Sequence, residues 1–152
     1  MTSRHPDPLS RPDPARVQQL LDNFWETLAT LPDLLQRAEW LLCAHACAWL
    51  RGIVIEMMLA LNGIAWPEST RHLNHYLGES QREALNKTLI VPVPGRDPWV
   101  GQAVALLVIY RWYAPQLLAE HPQLIYPSVR EAATLASLAA ALPDWPETIT
   151  TS

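Results

Sequence analysis

The sequence predicts an all-α fold, a helical bundle of four main helices and two short ones. Three observations lead there. No segment sustains the apolar–polar alternation of a half-buried strand, whereas apolar residues recur at helical spacing along most of the chain. The stretch from Pro32 to Gly63 has one interior glycine, Gly52, and no interior proline. At about 30 residues it is long enough for a helix of roughly 45 Å. Helix-start signals mark out the rest: Asp13-Pro14 and Asp97-Pro98 place an N-cap before proline, and Ser80–Glu83 and Ser128–Glu131 read as capping boxes.

Taken in order, residues 1–12 read as a disordered arm. A single domain spans 13–143. Its first helix opens at Asp13-Pro14 and runs to about Thr30, with Val17, Leu20, Leu21, Phe24, Trp25 and Leu28 on one apolar face. The long helix follows after almost no loop, which predicts an antiparallel hairpin. Ala65-Trp66-Pro67 reads as a turn. Thr70 to Leu77 reads as a short helix stopped by Gly78, and Ser80 to Leu89 as another. VPVPGRDP is a surface loop, after which a fourth substantial helix runs from Trp99 to about Glu120. Pro115 should kink it near Arg111 by removing a backbone hydrogen bond. The last helix starts at the second capping box and ends at Leu142 before Pro143. Residues 144–152 form a polar tail expected to fray.

Composition narrows the function. Hydrophobic residues make up 49% of the 152 and charged ones 17%, so the chain buries a real core. A net charge of −4 argues against a sequence-independent nucleic-acid binder, which carries a basic surface. Arg37, Glu39, Arg51 and Glu56 interrupt the apolar run, so no membrane span is expected there. The N-terminal sequence has no apolar leader region. Cys43 and Cys47, four apart on one helix, are poorly spaced for a disulfide. Together these predict a reduced, cytoplasmic setting.

Charges embedded in the long helix are the first candidates for a site. Arg37, Ala44, Ala48 and Arg51 share one side, with His45, Gly52 and Glu56 adjacent. Small residues beside charges leave room for a neighbouring helix with paired ions, or for a ligand. Glu39, on the face of Cys43, Ala46, Leu50 and Ile53, reads either as a helix-start carboxylate or as a general base. Cys43, His45 and Cys47 do not suit a metal, because His45 points away from the two sulfurs. No metal or cofactor is expected. Arg71, His72 and His75 could contact phosphate; ribonucleases of the HEPN class pair an arginine and a histidine, but across a longer gap than the three residues between Arg71 and His75. Trp40, Trp49, Trp66, Trp99, Trp112 and Tyr113 are expected mostly in the core or an interface.

Several short motifs carry a resemblance. They are Asn23-Phe24-Trp25, Gln36-Arg37-Ala38-Glu39, Leu50-Arg51, Leu61-Asn62-Gly63, Arg71-His72-Leu73, Leu85-Asn86-Lys87-Thr88-Leu89 and Tyr126-Pro127. Over about residues 14–142 the chain resembles the C-terminal helical domain of aminoglycoside-type nucleotidyltransferases, a substrate-binding, HEPN-like bundle. That family transfers a nucleoside monophosphate to a hydroxyl, using metal held by an Asp-x-Asp pair after a Gly-Ser signature. Neither motif occurs here. The resemblance therefore implies a bundle without catalysis of its own, paired with a separate catalytic chain or with a second copy as a homodimer. It matches Glu39 to a carboxylate that helps deprotonate the acceptor. Ala38 replaces the family's glycine and is expected to leave the helix better formed. The implied ligand is a small cation such as an aminoglycoside, in a cleft containing Arg37, Glu39, His45, Arg51 and Glu56. The alternatives are a HEPN-type ribonuclease using Arg71 with His72 or His75, and a purely structural dimer.

Overall fold

The computed structural model describes residues 5–89 and 96–149. The fold is all-α, with no strand among the described residues. Four long helices, α1 (Pro14–Leu28), α3 (Trp40–Leu61), α6 (Arg96–Glu120) and α7 (Ser128–Ala141), are joined by short helices α2 (Leu31–Gln36), α4 (Leu73–Tyr76) and α5 (Glu79–Asn86). Helix α3 is the central element. It packs against α1 and α6, with α2 and α5 also on it, and α7 lies against α1 and α2.

Helix α1 forms as its sequence dictates. The Asp13 carboxylate accepts from the Ala15 N–H at 3.0 Å, Pro14 sits in the first turn, and the six expected apolar residues are all buried. Phe24 stacks on Tyr110 with ring centroids 4.2 Å apart, and Trp25 meets the same ring edge-on at 5.3 Å. This aromatic cluster ties α1 to α6 beneath α3.

The long helix is not continuous, which corrects its reading as one rod. It breaks at Arg37-Ala38-Glu39. Glu39 N–H donates to Leu34 O at 2.9 Å and Ala38 N–H to Leu35 O at 3.2 Å, the paired bonds of a Schellman ending. Ala38 takes a left-handed φ of +53°. The same ending closes α3, where Ile64 donates to Leu59 O and Gly63 to Ala60 O, both at 3.0 Å, with Gly63 at φ +89°. At Ala38 an alanine occupies the place a glycine prefers, so it strains the turn rather than improving a helix. Ala38→Gly should raise stability by about 0.5–1 kcal/mol, the relief of left-handed strain less the added chain entropy. Thermal unfolding would show a rise of about 1–4 °C; a fall in Tm would refute the strain.

Other boundaries shift for identifiable reasons. The α5 N-cap is Gly78 rather than Ser80, and Gln81 Oε1 accepts from Gly78 N–H at 2.9 Å. Gln81 also bonds Asn62 reciprocally at 2.8 and 3.1 Å, fastening α5 to the end of α3. The second expected capping box does not form: Ser128 lies inside the helix after Pro127, and Glu131 turns to Arg111 at 2.9 Å. Most of the expected VPVPGRDP loop lies outside the described residues. Helix α6 is described from Arg96, and runs through Pro115 to Glu120.

Both chain ends pack where they are described. Residues 5–12 carry no helix, but the Asp7 carboxylate accepts from Thr70 Oγ1 and Tyr76 Oη, each at 2.7 Å, and Ala65 N–H donates to Ser10 O at 2.9 Å. At the other end Trp145 is buried and Asp144 pairs with Arg96 at 2.8 Å. The bonds from Thr70, then Tyr76, lower the Asp7 pKa. A carboxylate lowered on folding stabilises the clasp above its unfolded value, about 3.9, and loses that contribution as pH falls through the folded value. Exchange protection of the Ala65 amide should therefore hold at pH 6 and be lost only in acid below the ordinary carboxylate range, and Asp7→Ala should abolish that step. An unchanged step in the variant would assign it to another group.

Candidate functional site

One side of α3 is left open beside α1. Ala48 and Gly52 put little bulk on this face, and a Cβ built on Gly52 would meet no atom within 4 Å. The result is a groove with two hollows. One, of about 320 Å³, lies between Arg16, Leu20 and Asn23 of α1, His45 to Glu56 of α3, and Trp66 of the following segment. The other, of about 370 Å³, continues along Thr27, Thr30, Leu34 and Leu42. His45 and Trp49 line both and divide them, with their rings 6.2 Å apart. Trp49 is 56% exposed and Leu41, a little further toward the start of α3, 88%. Together they leave apolar surface open along this side of α3.

The groove is electrostatically settled. Arg16 donates to Glu56 through two nitrogens, at 2.7 and 2.9 Å, and this pairing raises the Arg16 pKa. Further along, Arg130 of α7 pairs with Glu26 of α1. The amide of Asn23 and the ring of His45 make no hydrogen bond among the described residues.

Of the five residues expected to share a cleft, the structure brings together His45 and Glu56. Arg37 caps the end of α2 and pairs with Asp33 at 3.4 Å, both well exposed. Glu39 is the N-cap of α3 rather than part of a second turn, and its side chain makes no capping bond. Arg51 faces the other way, toward α5 and α6. Its Nε donates to Thr88 Oγ1 and a terminal nitrogen to Thr88 O, both at 2.8 Å, and Gln102 donates to the same carbonyl at 2.9 Å. Arg51 thus secures the chain just past the end of α5, where a cation suits the helix dipole. Burial lowers its pKa.

Arg71, His72 and His75 lie exposed on the segment around α4. The His75 Nε2 sits 3.3 Å from His5 Nδ1, so its nearest partner comes from the N-terminal segment rather than from Arg71. Cys43 and Cys47 are free and buried. Burial pushes the Cys47 thiol up to about 12, which keeps it protonated and a poor nucleophile. Among the described residues no three His, Cys, Asp or Glu side chains come together as a metal site.

Arg16, Asn23 and Trp66 were not anticipated as groove residues. A signal existed for two of them: Arg16, Leu20 and Asn23 fall at i, i+4 and i+7, one stripe of α1 beside its apolar face. Nothing local announced Trp66, whose place depends on how the chain leaves α3. No family model, no curated protein and no solved structure matches this chain.

Proposed function

We propose that this chain is a non-catalytic, HEPN-like bundle acting as the substrate-binding half of a two-chain nucleotidyltransferase. It holds a small ligand in the α1–α3 groove and presents it to a separate catalytic chain in a reduced, cytoplasmic setting. The observation that carries this reading is the groove itself: an open hollow floored by Gly52, flanked by exposed Trp49 and Trp66 and closed at one side by the Arg16–Glu56 pair. Its concave, mostly apolar surface with a few polar groups is what small-ligand sites require. The absence of an Asp-x-Asp pair from the sequence and the buried, protonated thiols support placing the chemistry on another chain. Helix α3 is long and apolar enough to cross a membrane, but here its buried face packs on α1 and α6.

Light scattering of the purified protein, alone and mixed with a nucleotidyltransferase catalytic chain encoded beside it, tests this. The expected result is a stable complex of the two chains, weakened by Trp49→Ala. A mass indifferent to the catalytic chain would refute the two-chain reading. A doubled mass that resists that chain would favour a structural homodimer built on Leu41, Leu42 and Trp49.

A further inference from the structure

The hollow beside Trp49 and Trp66 says more about its ligand than its size does. At about 320 Å³ it lies at the small end of ligand sites, room for a molecule of one or two rings. Its charges are spent. Glu56 is the carboxylate lining it, and both oxygens of Glu56 already hold Arg16. A cation gains little from such a carboxylate, so charge does not select the ligand. The groups left over are the Asn23 amide, which offers a donor and an acceptor, and the His45 ring with its two nitrogens. Around them stand two partly exposed indoles, Trp49 and Trp66, 56% and 37% accessible.

A flat hydrocarbon would cover the indoles but leave those polar groups without partners, at a cost. A hydroxyl both donates and accepts, so a ring carrying several hydroxyls on one edge and C–H groups on its face satisfies both kinds of wall at once. We propose that this hollow binds one uncharged sugar ring, its C–H face against Trp49 and its hydroxyls bonded by Asn23, His45 and the outer edge of the Arg16–Glu56 pair. This deepens the reading of the groove as the ligand site and rests on it. It departs from the cationic ligand that the family resemblance implies.

The test is a titration followed by the indole N–H signals of Trp49 and Trp66 in two-dimensional NMR. The probes are methyl β-glucopyranoside, methyl β-galactopyranoside and N-acetylglucosamine, with choline and indole for comparison. At least one sugar should shift both signals saturably and more tightly than choline or indole. Asn23→Ala should weaken that binding by about tenfold, and Trp49→Ala by at least as much, while Trp49→Phe, which keeps an aromatic face, should retain most of it. The substituted side chains are not core, and circular dichroism verifies the fold of each variant. No saturable shift by any sugar, tighter binding of choline or indole, or full binding by Asn23→Ala would overturn the proposal. A catalytic chain that still binds when every sugar fails would end the sugar assignment and leave the two-chain reading standing.

Discussion

Tyr110→Phe should lower the stability of the fold by roughly 2–3 kcal/mol. The Tyr110 hydroxyl is shut from solvent and makes two bonds to α1, with Tyr126 as a further hydrogen-bonding neighbour. It accepts from Trp25 Nε1 at 3.1 Å and donates to Leu21 O at 3.0 Å, and both Trp25 and Tyr110 are fully buried. Removing the oxygen strands the indole N–H, whose desolvation is no longer repaid. The Leu21 carbonyl loses only a second bond, because helix geometry already pairs it within α1. The ring itself stays, so stacking on Phe24 is preserved and the loss reports the hydrogen bonds. Urea unfolding should show a lower midpoint with an unchanged slope. A change under about 0.5 kcal/mol would show that Trp25 finds another acceptor.

Arg51→Ala should cost a similar amount, roughly 2–3 kcal/mol, or about 5–10 °C in Tm. It removes two charge-assisted bonds to Thr88, a residue with no exposure, and leaves Gln102 alone to hold that carbonyl. It also strips the stem that packs between α3 and the end of α5. The variant separates two roles for this arginine. Whatever binds the groove should bind the folded variant as tightly as the parent, because Arg51 points away from it. A large loss of binding with little loss of stability would restore Arg51 to the ligand site.

Much of the architecture was legible because it is periodic. The face of α1, the existence of α3, α6 and α7, and the absence of strands among the described residues follow from apolar spacing and from Asp13-Pro14. The break at Ala38 was not legible, since alanine is the best helix former and nothing in its propensity announces a left-handed turn. The grouping of site residues failed for a different reason. Arg51 and Glu56 lie five residues apart, about 140° around a helix, so one cleft could not hold both unless it wrapped the helix. The groove itself pairs α1 with α3 and with Trp66, and contacts so distant in sequence leave no periodic trace.

The burial of Cys43 and Cys47 has a practical consequence. Both thiols are shut away from solvent, and burial pushes the Cys47 thiol up to about 12. A maleimide, which reacts with thiolate, will find almost no background at neutral pH. The native chain is therefore ready for single-site labelling: a cysteine placed at Leu41 or Thr30 would carry a dye to the rim of the groove with no prior removal of the natural pair. Fluorescence from that dye could follow occupancy of the groove while the intrinsic tryptophans are left unaltered.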